Sequence, residues 1–146
     1  MKIQAKKLHE SAILPTRGSA LAAGADLYAL PSEGELVIEA GQTRLVHTGI
    51  AVAIPEGYVG LIYARSGLAS KRHLAPANKV GVIDSDYRGE WMVALHNHSD
   101  TPAVVDGGER IAQVAIVPYV QGRFTEVDEL SDTKRGTGGF GSTGSK

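Results

Sequence analysis

No stretch of this chain holds apolar residues at helical spacing for as much as three turns; short β-branched runs closed off by glycine or proline recur instead. Glycine and proline together supply 24 of the 146 residues, about a third more than the usual share, so the chain turns often. The reading is all-β. Strands are expected at Lys2 to Leu8, Asp26 to Leu30, Glu35 to Glu39, Thr43 to Ile54, Tyr58 to Tyr63, Lys79 to Ile83, Glu90 to Asn97, Ala103 to Val105, Arg110 to Tyr119 and Arg123 to Val127. In the seventh of these Trp91, Val93 and Leu95 share one face and Met92, Ala94 and His96 the other. Neither face is strongly charged, so burial on both sides is expected. One short helix is expected over Ser66 to His73, with Ser66 as its cap. Many short strands at even spacing favour a jelly-roll-like β-sandwich over a small closed barrel.

The domain is expected to span residues 1–130. From Ser131 to Lys146 eleven of sixteen residues are Gly, Ser or Thr, and Phe140 is the one large apolar side chain, so this tail cannot fold alone. Lys134 and Arg135 precede its glycines, which suggests an arm that orders over a ligand; from composition, a plain linker stays open as well.

Fifteen Lys and Arg against sixteen Asp and Glu leave a net charge of -1, so no global basic field exists to attract nucleic acid or an anionic membrane. The absence of cysteine excludes disulfides, thiolate nucleophiles, iron–sulfur clusters and cysteine-ligated zinc. The opening MKIQAKKLHE lacks the apolar core of a signal peptide, and no apolar stretch approaches the ~20 residues of a membrane span. A cytoplasmic protein is the expectation.

Several local patterns hold chemistry. Gly139 to Gly144 matches the dinucleotide fingerprint in letters, yet no strand precedes it and no helix can follow; what remains is glycine amides with the Ser142 and Thr143 hydroxyls, able to form an anion nest beside Arg135. His96 and His98 sit at i and i+2 without an evident third ligand, which reads as a surface strand end more than as a metal site. In NKVGVIDSDYRGE, Asn78 to Glu90, an apolar strand ends in Asp84, turns, and presents Tyr87 and Arg88. Such a hairpin can offer bare backbone to a flat heterocycle, with Gly81 allowing close approach and Tyr87 as a wall; an ordinary acidic hairpin is the competing reading.

Taken together, AGADLYA (Ala23 to Ala29), RSGLA (Arg65 to Ala69), GVIDSDYRGE (Gly81 to Glu90), GERIAQ (Gly108 to Gln113) and RGTGGFGSTG (Arg135 to Gly144) resemble the five ordered motifs of the trimeric deoxyuridine triphosphatases, the dUTPases, and span nearly the whole chain. Two departures stand out: Ala64 replaces a proline common before the RSGLA arginine, loosening that turn, and Trp91 is bulkier than expected.

The resemblance implies hydrolysis of dUTP to dUMP and pyrophosphate by water attacking the α-phosphorus, which limits uracil in DNA and supplies dUMP for thymidylate synthesis. It implies that Asp84 orients and deprotonates the water and contacts the 3′-hydroxyl, and that Tyr87 stacks on the deoxyribose and rejects a 2′-hydroxyl. The backbone from Asn78 through Gly81, Val82 and Ile83, with the Asn78 side chain, would read uracil. Ser66, Gly67 and Gln113 would hold the phosphates and Arg65 would add charge. Arg135 would act as an arginine finger, with Phe140 closing on the base and Gly141, Ser142 and Thr143 completing the arm. Asp26 and Arg110 match the first and fourth motifs, where an ion pair supporting the site and a contact to substrate are both open. Mg²⁺ is expected on the substrate triphosphate with no direct protein ligand. The partners implied are dUTP and two further copies, in a homotrimer with shared sites. The rival readings are a dCTP deaminase of the same superfamily, which needs a glutamate where this chain has Asp84-x-x-Tyr87, and a catalytically silent nucleotide-binding trimer.

Overall fold

Strand pairing follows a nested order in the computed structural model of the chain, which describes residues 1–139. Its elements are β1 (Gln4–Lys7), β2 (Ala25–Tyr28), β3 (Leu36–Ile38), β4 (Thr43–His47), β5 (Ile50–Ala53), β6 (Tyr58–Tyr63), α1 (Ser66–Arg72), β7 (Leu74–Pro76), β8 (Gly81–Ile83), β9 (Met92–Asn97), β10 (Ala103–Val105) and β11 (Arg110–Pro118). A single 3₁₀ turn occupies Pro31–Glu33. β2 pairs with β11, β3 with β10 and β4 with β9, all antiparallel, as when one long hairpin is rolled up on itself. That is a jelly-roll-like wrap. The sheets are β2-β11-β6-β8, β4-β9-β7, and the two pairs β1-β5 and β3-β10.

The alternation of apolar side chains drives the wrap. Trp91, Val93 and Leu95 are buried with Leu27, Ile38, Ile50, Leu74 and Ile111 in one core. Burial of each such large side chain stabilises by about 1.5–3 kcal/mol. Trp91 sits fully inside at 2% exposure, so its bulk fills the core. The other face of β9 is less covered than expected: Met92, Ala94 and His96 are half-buried in this chain.

Four local expectations need correction. Thr43 to Ile54 divides into β4 and β5 because Gly49 turns with φ +68, where a Cβ would meet Leu30 Cδ1 at 2.7 Å. Lys79 has φ +65, so the strand after it begins at Gly81. Ser66 is the first residue inside α1 and gives no cap; the capping position is Arg65, whose side chain is engaged elsewhere. Arg123 to Val127 forms no strand among the described residues and lies exposed, while β7, only three residues long and ending in proline, went unforeseen. His96 and His98 meet edge to face, ring centroids 4.4 Å apart, at the end of β9.

The β4–β5 corner is fastened by Glu90. Its carboxylate accepts from the Gly49 amide at 2.8 Å and meets His47 Nδ1 at 2.9 Å. Thr48, buried, donates to the Trp91 carbonyl. The hydrogen bond to Glu90 raises the His47 pKa above its ordinary 6.5 against the opposing effect of burial. Burial pushes the Glu90 carboxyl up, but the His47 and Gly49 hydrogen bonds outweigh it and hold the pKa below the ordinary 4.5. A raised histidine pKa stabilises the fold below 6.5 and is lost as pH rises through the folded value; a lowered carboxyl pKa stabilises above 4.5 and is lost as pH falls. Urea unfolding of wild type and His47→Ala is therefore expected to differ most between about pH 4.5 and 6.5. A stability difference flat from pH 4 to 9, roughly the span of both titrations, would count against the pair.

Candidate active site

The residues singled out by sequence fall into two separate places. The first is a cleft of about 420 Å³ lined by Gly24, Asp26, Arg65, Ser66, Gly67, Arg110 and Gln113, among others. Asp26 on β2 lies opposite Gln113 on β11, and Gln113 lies opposite Tyr63 on β6, so three neighbouring strands deliver these side chains to one end of the sheet. Asp26 accepts from Arg65 Nε at 2.8 Å and from Arg110 Nη1 at 3.4 Å, and is only 13% exposed. One carboxylate thus holds two guanidinium groups, leaving an excess of positive charge facing the cleft. The Gln113 amide donates to the Ala64 carbonyl at 2.9 Å. With Arg65 tied to Asp26, this bond holds the turn that the missing proline would otherwise stiffen.

Ser66 and Gly67 form the first turn of α1, where backbone amides have no partner within the helix. The helix is set in place by Arg72, which donates to Glu109 and to the Val104 carbonyl. Two features of the cleft escaped the sequence reading. A Cβ on Gly24 would meet Gln113 Oε1 at 2.6 Å, so glycine there makes room for the glutamine. Arg17 pins the loop over the cleft by donating to the Ala22 and Ala23 carbonyls at 2.7 and 2.8 Å.

The second place is the hairpin from Asn78 to Glu90. β8 is the edge of its sheet, paired only with β6, so the outer backbone groups of Gly81, Val82 and Ile83 are unused by the sheet. Val82 is 64% exposed. A Cβ on Gly81 would stand 3.3 Å from Ile62 Cβ and 3.4 Å from Asn78 Nδ2, so the glycine lets the Asn78 amide lie along the edge. At the end of β8 the turn closes with the Tyr87 amide donating to the Asp84 carbonyl, and Arg88 Nη1 donating to the Ser85 carbonyl. Asp84 is exposed and lines a pocket of about 520 Å³ with Glu56, Asp86, Arg88 and Tyr119. Tyr87 folds back over Gly89, where a Cβ would come within 2.6 Å of the phenol ring, and its hydroxyl donates to the Glu90 carbonyl at 3.0 Å. Gly89 and Glu90 are further structural members of the hairpin: Gly89 makes room for the nearby Tyr87 ring, while Glu90 acts through His47 and Gly49, far away in sequence.

The cleft and the hairpin carboxylate do not meet in one chain. Ile83 pairs with Gly60 near the start of β6, whereas Arg65 follows the far end of that strand, which closes at Tyr63. The two pockets share no lining residue. Arg135 meets neither: its Nε donates to the Gly138 carbonyl at 2.8 Å within its own turn. Phe140, Gly141, Ser142 and Thr143 lie outside the described residues.

A sequence profile of the dUTPase family matches residues 10–144. The deoxyuridine 5′-triphosphate nucleotidohydrolase of Syntrophotalea carbinolica is 48% identical over 142 residues, covering 97% of this chain and 96% of its own. A mutant dUTPase of Staphylococcus bacteriophage 80alpha, solved with dUpNHpp, superposes with a TM-score of 0.88 at 32% identity, covering 98% of both chains. A mutant dUTPase from phage phi11 of S. aureus, described with a structural Mg(II) ion, gives a TM-score of 0.79 at 29% identity, over 89% of this chain and 99% of that one. Fold, motif order and full-length similarity all converge, and the chain belongs to the dUTPase family.

Proposed function

We propose that this chain hydrolyses dUTP to dUMP and pyrophosphate by attack of water on the α-phosphorus, limiting uracil in DNA and supplying dUMP for thymidylate synthesis. The observation that carries the reading is the pair of complementary half-sites: a free sheet edge ending in the exposed Asp84 carboxylate, and a cleft whose arginines are already held by Asp26.

The division of labour follows from chemistry. A triphosphate is highly charged and kinetically inert, so the protein must neutralise charge, align a water and take its proton. Asp84 takes that proton and contacts the 3′-hydroxyl. The unused backbone of β8 with Asn78 reads the uracil edge, presenting the wrong donor pattern to cytosine, while close walls exclude the thymine methyl. Tyr87 stacks on the deoxyribose and leaves no space for a 2′-hydroxyl. Ser66, Gly67 and Gln113 hold the phosphate chain, Arg65 adds charge through the guanidinium nitrogens that Asp26 does not use, and Arg110 braces Asp26. Residues 131–146 act as the arm on the domain of residues 1–130, with Arg135 as the finger and Phe140 to Thr143 over base and phosphates. Asp26 is the one carboxylate lining the cleft and is engaged by two arginines, so this donor set fits a Mg²⁺ that arrives on the triphosphate without a protein ligand and supplies further charge neutralisation when bound.

We further propose a homotrimer whose sites draw on different subunits. The placement of Asp84 and Arg65 toward opposite ends of β6, in pockets that share no lining residue, supports this, because a second copy can bring a cleft to the hairpin. So do exposed apolar side chains that an isolated chain would leave in water: Val120 at 94%, Phe124 at 101% and Leu130 at 87%. An apolar groove of about 250 Å³ beside Ile3, Leu14, Val52, Val114 and Ile116 is lined by Trp91, whose buried indole N–H has no acceptor among the described residues. No helix among the described residues is long and apolar enough to cross a membrane. With dUTP as substrate, we place the enzyme in the cytoplasmic nucleotide pool.

Pyrophosphate release from a nucleotide panel tests the activity: dUTP is expected to turn over far faster than dTTP, dCTP or UTP, and ammonia release from dCTP would overturn the assignment. Asp84→Asn is expected to keep most dUTP affinity and lose orders of magnitude in kcat, since an amide can accept a hydrogen bond but cannot take the proton. Arg135→Ala is expected to cost about 10³ in rate, the usual worth of an arginine finger, with the melting temperature unchanged. Refolding equal amounts of inactive Asp84→Asn chains and chains ending at Leu130 is expected to restore about a quarter of wild-type sites; confirmed mixed trimers without activity would refute the shared site.

A further inference from the structure

We propose that Glu90 is a positioning residue for sugar discrimination, fixing the Tyr87 ring by clamping the root of the hairpin to the β4–β5 corner. The inference rests on Tyr87 as the wall against a 2′-hydroxyl and deepens that reading. Tyr87 touches the rest of the chain at its hydroxyl, which donates to the Glu90 carbonyl at 3.0 Å, and along its ring, which lies over Gly89. The ring is therefore only as steady as residues 89–90. Those residues belong to no strand, since β8 ends at Ile83 and β9 begins at Met92.

Their steadiness comes from the Glu90 side chain. One carboxylate oxygen accepts from the Gly49 amide at 2.8 Å and the other meets His47 Nδ1 at 2.9 Å, on a corner that Gly49 alone can turn. Immediately beyond, the Trp91 amide donates to the Ile50 carbonyl at 2.8 Å, and Trp91 is buried. The clamp thus links a corner rooted in the core to an exposed aromatic ring through the side chain and carbonyl of one residue. Displacement of a positioned group by about 1 Å is enough to change rates by up to 10²-fold, and a wall that yields admits the larger sugar.

The test compares kcat/KM for dUTP and UTP in wild type, Glu90→Ala, Glu90→Gln and Tyr87→Ala. Glu90→Ala is expected to lower the dUTP-over-UTP ratio about tenfold or more, as expected for a loosened wall. Glu90→Gln, whose amide can still meet Gly49 and His47, is expected to restore most of the ratio. General destabilisation would lower both rates together and leave the ratio alone. A folded Glu90→Ala enzyme with wild-type selectivity, beside a Tyr87→Ala enzyme that has lost it, overturns the clamp and leaves the wall standing. Wild-type selectivity in Tyr87→Ala overturns the wall itself. Should Glu90→Ala fail to fold, Tyr87→Phe probes the same link from the other side, and a selectivity equal to wild type there overturns the proposal.

Discussion

Everything functional in this chain depends on the ladder between β2 and β11. It brings Asp26 opposite Gln113, and β11 in turn carries β6, which carries the edge strand β8. Both places are therefore mounted on one antiparallel sheet, the cleft at one end and the Asp84 carboxylate toward the other. The glycines at 24 and 81 matter because they let side chains, Gln113 and Asn78, lie against backbone. Rigid sheet geometry sets the spacing; small residues then admit the functional groups.

Charge is arranged with equal economy. A cleft with Arg65 and Arg110 side by side would repel itself if empty, and the nearly buried Asp26 offsets that repulsion while keeping both guanidinium planes in place. The two cations are thereby oriented in advance, an arrangement that lowers the entropy any anion would lose on binding there.

Much of this was legible in the residues. Strand positions followed from β-branched runs between turn residues, and β6 and β10 came out with the expected bounds. The reading failed where tertiary contacts decide the matter. Thr43 to Ile54 looks continuous in composition, and only the crowding of Gly49 by Leu30 and Ala12 shows why the backbone must turn there. Ser66 has the chemistry of a helix cap, yet the chain enters α1 one residue earlier, because Arg65 is drawn to Asp26. Arg123 to Val127 has the pattern of a strand with no neighbour in this chain to pair with. At the site, motif residues could be named from similarity, but their division between opposite ends of β6 could not, since it depends on register. The roles of Glu90 and Gly24 do not show in their motifs for the same reason: their partners, Gly49 and Gln113, are distant in sequence.

The nested pairing also has a temporal consequence. Asp26 and Gln113 are ladder partners 87 residues apart in sequence, and β3–β10 and β4–β9 close inside them. Loops that long are slow to close, because their entropy must be lost before the contacts that reward it form. During synthesis β2, β3 and β4 wait for partner strands not yet made. The cleft that holds Asp26, Arg65 and Gln113 rests on the outermost of these pairings, so it can close only once β11 has been made.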